Sequence, residues 1–294
     1  MIRPSRRIRL LAAITVAAGT VLSATPSSRA ATPARAGAAS VHVAPSRAAA
    51  SLGPLINIPQ TWNNCGPTSV AEVLAYYGIV RSQYQTKAVL RADGNPYGMA
   101  PYGVPAYMRS LGMRALLSTD GSDRLLKALL ANGFPVIVSQ WVSLADHVGH
   151  YRPLQAYDDT ARTFVSSDPY LGQGHTISYD EFDQIWRSTN RRFMVLYPPA
   201  RQSLLAAVLA SARWDAARAA RNDLVHQQGL LAGTVPDLTG YGSHRNYYLS
   251  IAWDDLILRH FSAARQALRT ATEHGSSPVV AGWVAGEIGL AAKG

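Results

Sequence analysis

The sequence predicts an α+β domain with a mainly antiparallel sheet, followed by an all-α region of helical hairpins. Three observations carry this. Between residues 52 and 198, helical patterns come first and strand patterns cluster later, the order of an α+β fold and not of alternating parallel units. The texture changes at Pro198-Pro199, after which the chain is alanine-rich and helical. Within that second part, Trp214-Asp215-Ala216-Ala217-Arg218-Ala219-Ala220 is echoed 47 residues later by Phe261-Ser262-Ala263-Ala264-Arg265-Gln266-Ala267.

Residues 1–30 read as an export signal. Arg3, Arg6, Arg7 and Arg9 precede an apolar run from Leu10 to Ala24. That run is shorter than the ~20 residues a membrane-spanning helix needs, and Ser28-Arg29-Ala30 offers small residues for cleavage. The Arg6-Arg7 pair leaves the route open between general secretion and twin-arginine export, because Arg9 stands where a large apolar residue is preferred. Residues 31–51, rich in Ala, Pro, Ser and Arg without apolar periodicity, are expected to form a disordered tether.

In residues 52–198, a helix should start at Cys65. Pro67 suits its first turn, Val70, Val73, Leu74 and Tyr77 follow at helical spacing, and Gly78 stops it. Short helices are expected over Pro105 to Leu111 and Asp123 to Leu130. Strands are expected over Phe134 to Val138, Arg152 to Tyr157, Thr163 to Ser166 and Arg192 to Tyr197. Ser178 caps a further helix through Phe182, Ile185 and Trp186, with Glu181 placed as in a capping box. In residues 201–294, apolar helices from Leu204 to Leu209 and from Leu249 to Leu258 each lead into one copy of the echo, and a last helix lies near Val279 to Leu290. An aromatic at a turn followed by alanines lets two helices approach closely. This resembles the tetratricopeptide type of hairpin with a longer linker; a plain alanine-rich bundle is the other arrangement.

The formal charge of +10 falls to +5 without residues 1–30, which hold five arginines and no acids. The remainder is scattered, with no basic block interleaved with aromatics, so nucleic-acid binding has little support. No His-Glu-x-x-His motif or cysteine cluster suggests a metal, and no cofactor is implied. No stable membrane insertion is expected once the signal is removed.

Cys65 is the single cysteine of the chain, so it cannot form an intramolecular disulfide. At a helix N-terminus the positive end of the dipole favours its thiolate. A small buried hydrophobe is the alternative role for such a residue. A thiolate nucleophile needs an imidazole, and the imidazole a third group to orient it. Of eight histidines, His42 lies in the tether and His226, His244, His260 and His274 in the helical part, leaving His147, His150 and His175. His150 has the best mount, directly before a strand; His147 belongs to a loop and His175 to a glycine-flanked turn. Asp168-Pro169 ends the next strand, where a hairpin would bring the carboxylate near His150, or where it serves only turn chemistry. Asp158 and Asp159 suit the hairpin turn itself. Gln60, five residues before Cys65, could place an amide N–H where oxyanion charge develops.

In series, Gln60-x4-Cys65-Gly66-Pro67-Thr68-Ser69, Gly149-His150-Tyr151, Tyr157-Asp158, Asp168-Pro169 and Tyr179-x2-Phe182-x3-Trp186 resemble the bacteriocin-processing, double-glycine-leader cysteine peptidases of the papain-like superfamily and their secreted relatives. The likeness runs from about Leu55 to Tyr197. It implies a papain-like fold with Cys65 as nucleophile, His150 as base, Asp168 as orienter and Gln60 as oxyanion donor. Two departures stand out. Arg152 and Pro153 occupy strand positions where the family usually has aliphatics, so that strand should be bent or at an edge. The membrane and ATPase segments of the transporter-fused members have no counterpart here, so leader removal coupled to export does not carry over. The function expected is that of a secreted cysteine peptidase acting on a peptide or protein substrate, with helices that dock a substrate or partner and supply no catalytic group. A cell-wall amidase or endopeptidase, and a catalytically silent binding module, are the alternatives.

Overall fold

A computed structural model describes residues 42–238 and 242–294. The expected signal and the start of the tether therefore lie outside the described residues. The end of the expected tether does not stay free: Ala49–Ser51 forms β1, paired antiparallel with Ala156–Asp158. Leu52 N–H and Leu55 N–H continue this attachment by donating to the Gln155 carbonyl and side-chain oxygens. Short polar-flanked segments such as this carry little periodicity, and the neighbouring strand edge decides their fate.

The other strands are β2 (Arg114–Ser118), β3 (Val136–Trp141), β4 (Gly149–Asp158), β5 (Thr163–Asp168), β6 (Gly172–Ser178) and β7 (Phe193–Tyr197). They form one antiparallel sheet in the order β2-β7-β3-β4-β5-β6, with β1 on β4. β4 is internal, not an edge. It pairs with β3 along Gly149–Leu154 and with β5 along Leu154–Asp158, with a register shift between Leu154 and Ala156 directly after Pro153. Of the two expectations for Arg152-Pro153, the edge position is not observed: both residues pair in regular register with Val138 and Ile137 of β3.

Alternation along β7 separates two cores. Phe193, Val195 and Tyr197 join Val136, Val138, Leu154 and Phe164 on one face, beneath the leucines of α4 (Asp123–Ala131) and Phe182, Ile185 and Trp186 of α5 (Tyr179–Arg187). Met194, Leu196 and Ile137 face the other way, toward α1 (Cys65–Tyr76) and α3 (Val104–Ser110). Between those two helices lies α2 (Gln83–Leu90), which opens with a complete capping box between Ser82 and Gln85. Ser178 caps α5 as expected, its hydroxyl accepting from Glu181 N–H.

After Pro198 come α6 (Gln202–Ser211), α7 (Ala216–Leu231), α8 (His244–Ile257), α9 (Phe261–Glu273) and α10 (Pro278–Ala291). The packing is continuous across the texture change. Leu249, Trp253, Leu256, Val284 and Ile288 belong to the same apolar cluster as Val70, Tyr102, Met108 and Leu117. Trp253 Nε1 donates to Leu117 O (3.3 Å), Tyr102 Oη and Ser250 Oγ lie 2.9 Å apart, and the Trp283 ring covers Gly103 so closely that a Cβ there would collide with it. The echo is only partly reproduced in space. Both copies follow a turn with a left-handed arginine, Arg213 (φ 56°) and Arg259 (φ 62°). α8 packs against α7 and α9, but α6 packs on α4 of the sheet region. Trp214 is consequently drawn into the core beside Phe193 (ring centroids 5.5 Å), whereas Phe261 is half-buried against the opposite core under Arg259. The two aromatics are not in equivalent positions.

Candidate active site

The thiol is placed by a loop that one glutamine organises. Gln83, buried at the start of α2, accepts through Oε1 from Thr61 N–H (2.8 Å) and Asn64 Nδ2 (2.8 Å), and donates through Nε2 to Pro59 O (2.8 Å). Asn63, in the left-handed region (φ 51°), is held by Arg91 Nη1 on its carbonyl and by its own Nδ2 on Pro96 O. Helix α1 then opens at Cys65. Gly66 is required by a close approach, since a Cβ would lie 2.9 Å from Met99 Cβ. One turn along, Ser69 Oγ donates to Tyr151 O (3.0 Å), tying α1 to the strand that carries His150.

Cys65, His150 and Asp168 form one buried constellation. They are 8%, 3% and 0% exposed. His150 Nε2 lies 3.0 Å from Asp168 Oδ1, which leaves Nδ1 for the sulfur, and the imidazole and the Cys65 thiol each shift the other's protonation. Asp168 Oδ1 further accepts from Tyr170 N–H (2.7 Å) and Leu171 N–H (2.9 Å), which fixes the carboxylate in its turn. Burial opposes every charge here, yet partners outweigh it. Burial pushes the thiol up, but the hydrogen bond and charge of His150, with main-chain contacts at Tyr151 and Gly66, bring it below its ordinary value. Burial pushes His150 down, but hydrogen bonds to Asp168 and Cys65 and their charges raise it from 6.5 to about 9. Burial likewise works against the Asp168 anion, but His150 and Arg152 hold its carboxyl well below the usual range. The shifts all run in one direction, toward thiolate, imidazolium and carboxylate in a row.

Two further ionisable groups lie against this row. Glu72 of α1 accepts from Ile58 N–H (2.7 Å), and burial raises it to about 8, so it stays a neutral acid at lower pH and does not compete for the imidazolium. Arg152, fully buried two residues beyond His150, brings Nε to 3.0 Å from Asp168 Oδ2 and donates from Nη2 to Val142 O (2.7 Å). Gln60 is anchored close by: its N–H donates to Pro169 O (2.9 Å), and its Oε1 is buried with no hydrogen-bond partner among the described residues. No hydrogen bond joins Gln60 to Cys65 or His150 among the described residues. His147 is outside the constellation, exposed and stacked on Trp141 (ring centroids 3.7 Å, 11° between planes). His175, on β6, touches the row only through its charge environment.

Cys65 and His150 open into a cavity of about 460 Å³. Its lining includes Tyr97, Met99 and Tyr102 from the region before α3, together with Leu230 of α7 and Tyr247 and Leu249 of α8. The helical part thus walls the cleft. Gln83 and Glu72 were not singled out by sequence reasoning, and only the capping box before Gln83 marked its helix start. Arg152 was visible as a departure from the family pattern, but its contact with Asp168 required the register of β4 and β5.

Residues 54–194 match the family described as the Peptidase C39-like family. That span contains every motif on which the resemblance to bacteriocin-processing cysteine peptidases rests. No curated protein matches the chain. Among solved structures, the chain is similar to a double-glycine-motif protease from an AMS/PCAT transporter in complex with the leader peptide (21% identity, 51% of this chain and 94% of that one, TM-score 0.38). It is also similar to the peptidase domain of Streptococcus ComA, a bifunctional ABC transporter of a quorum-sensing pathway (21% identity, 48% and 96%, TM-score 0.40). A third likeness is to a C39-like peptidase from Bacillus anthracis (17% identity, 50% and 96%, TM-score 0.42).

Proposed function

We propose, from the C39-like peptidase match of residues 54–194 and the geometry of its buried row, that the chain is a cysteine peptidase in which Cys65 and His150 cleave peptide bonds. The observation that carries the reading is the burial of Cys65, His150 and Asp168 together, with the His150 ring on the Asp168 carboxylate and both Cys65 and His150 lining the cavity. In this reading the thiolate attacks the scissile carbonyl carbon, a C–S bond forms, and the carbonyl electron pair moves to oxygen. The Cys65 main-chain N–H, at the open end of α1, and the Gln60 amide supply donors to that oxyanion. The imidazolium passes its proton to the leaving amine as the C–N bond breaks, giving an acyl-thioester. Water then attacks this ester with His150 as base, the C–S bond breaks, and the thiolate–imidazolium pair is restored. Asp168 keeps the ring oriented and stabilises its charge.

The substrate in this proposal is a peptide or protein segment lying between Tyr97 and the α7–α8 wall. The basic-then-apolar start of the chain supports action after export, outside the membrane; no helix among the described residues is long and apolar enough to cross one. The test is alkylation and hydrolysis together. Wild-type protein should be labelled at Cys65 by iodoacetamide at pH 6, and His150→Ala should lose that low-pH labelling. An intact low-pH thiolate without hydrolysis of any peptide would favour the silent binding module.

A further inference from the structure

Asp168 carries two cations, and the proposed chemistry uses one. Its Oδ1 is occupied by the His150 ring and the two turn N–H groups; its Oδ2 faces Arg152 Nε at 3.0 Å. The second contact is an ion pair, not an aligned hydrogen bond, because neither Nε nor Oδ2 completes one. Both residues are 0% exposed, so solvent screens this pair little. Burying a guanidinium is expensive, and a strand position between His150 and Leu154 would ordinarily take an aliphatic residue. Among the described residues, the guanidinium's anchor outside the carboxylate is one bond, from Nη2 to Val142 O. Fold stability alone gives no reason for a charge there.

We propose that Arg152 is a positioning residue that sets how tightly His150 holds its proton, by sharing the Asp168 carboxylate with the imidazolium. The inference rests on the peptidase reading of the same site. A guanidinium does not deprotonate in proteins, so its charge is constant across the working pH range. It keeps Asp168 ionised even when the ring is neutral, and it offsets part of the carboxylate field that the ring feels. The ring therefore remains cationic beside the thiolate yet releases its proton to the leaving amine more readily than it would from an undivided Asp168 contact. Other charged or titratable groups facing this cluster are Cys65 and Glu72 of α1, His175 of β6 and Glu181 of α5. The Tyr170 ring lies 6.4 Å from that of His150. Of these groups, Arg152 alone both contacts Asp168 and bears a fixed charge.

The test is the pH dependence of Cys65 alkylation by iodoacetamide, paired with an NMR titration of the His150 ring, in wild type, Arg152→Met, Arg152→Gln and Arg152→Lys. Each protein is first checked for native circular dichroism; the Gln variant, which can keep a hydrogen bond to Val142 O, covers the case in which Met disturbs the strand. The upper inflection, where His150 loses its proton, should move up by about one pH unit in the neutral variants and stay within a few tenths in Arg152→Lys. An unchanged inflection in a folded neutral variant overturns the proposal, as does an equal shift in Met, Gln and Lys. The peptidase reading fails by a different signature: a wild-type Cys65 that reacts only near its ordinary thiol pKa.

Discussion

In the folded chain the Cys65 thiol is lowered and His150 is raised to about 9, opposite shifts that both favour imidazolium beside thiolate. Their contributions to proton linkage therefore have opposite signs. Glu72 is different. Its folded value of about 8 lies above the ordinary 4.5, so the folded state binds more protons between these limits and stability declines as pH rises through them. Asp168 acts in the opposite sense at the acid end, where its contribution is present above the ordinary 3.8 and lost as pH falls. Denaturation midpoints measured against pH should therefore fall between pH 4.5 and 8 in wild type, and Glu72→Gln should flatten that decline. On catalysis, His150→Ala should lose about 10²–10⁴-fold in turnover, while His147→Ala, altering an exposed ring stacked on Trp141, keeps most of it. Cys65, His150 and Asp168 were legible as residues because each sits at an element boundary: a helix start, a strand start and a strand exit. Gln83 and Glu72 were not, since an isolated polar side chain in a helix gives no sign of which loop will fold back onto it.

The elements that were legible are those with strong periodicity or caps, such as α1, α4 and α5. Those missed are short or glycine-interrupted. β6 contains Gly172 and Gly174 in left-handed conformations (φ 102° and 75°), and a register shift opposite Ser166-Ser167 absorbs the irregularity, so its sequence reads as a turn. β1 has three residues and exists because β4 offers an edge. α2 matters beyond its own length because Gln83 holds the 59–64 loop that delivers Cys65. Gln83→Leu would leave the Thr61 N–H and Asn64 amide without their acceptor. It should cost roughly 1–3 kcal/mol in chemical denaturation and lower kcat more than it raises KM. A loss of stability with unchanged kcat would show that the loop keeps its geometry without this anchor.

Over the whole molecule, the change of texture at Pro198-Pro199 marks a change of element type, while the core continues through it. Trp253 fills the cluster shared by α3, β2 and α8 and bonds to Leu117 O; Trp253→Ala should cost about 3–5 kcal/mol. Truncation after Ala200 should unfold the remaining chain rather than yield a smaller enzyme, because it strips Leu249, Trp253, Val284 and Ile288 from that cluster. A folded, active truncate would show that the sheet region carries a sufficient core by itself. The sequence revealed that helices follow the sheet, but not that α7 and α8 turn back to wall the cleft, since long-range docking leaves no local pattern. The most direct test of the whole account is a peptide-library digest read by mass spectrometry, comparing wild type with Cys65→Ala after both are shown to be folded. Cleavage by wild type alone, with an acyl-thioester trapped on Cys65 by acid quench, is the predicted result. Equal cleavage by both proteins, or none by a wild type whose Cys65 is alkylated at pH 6, would contradict it.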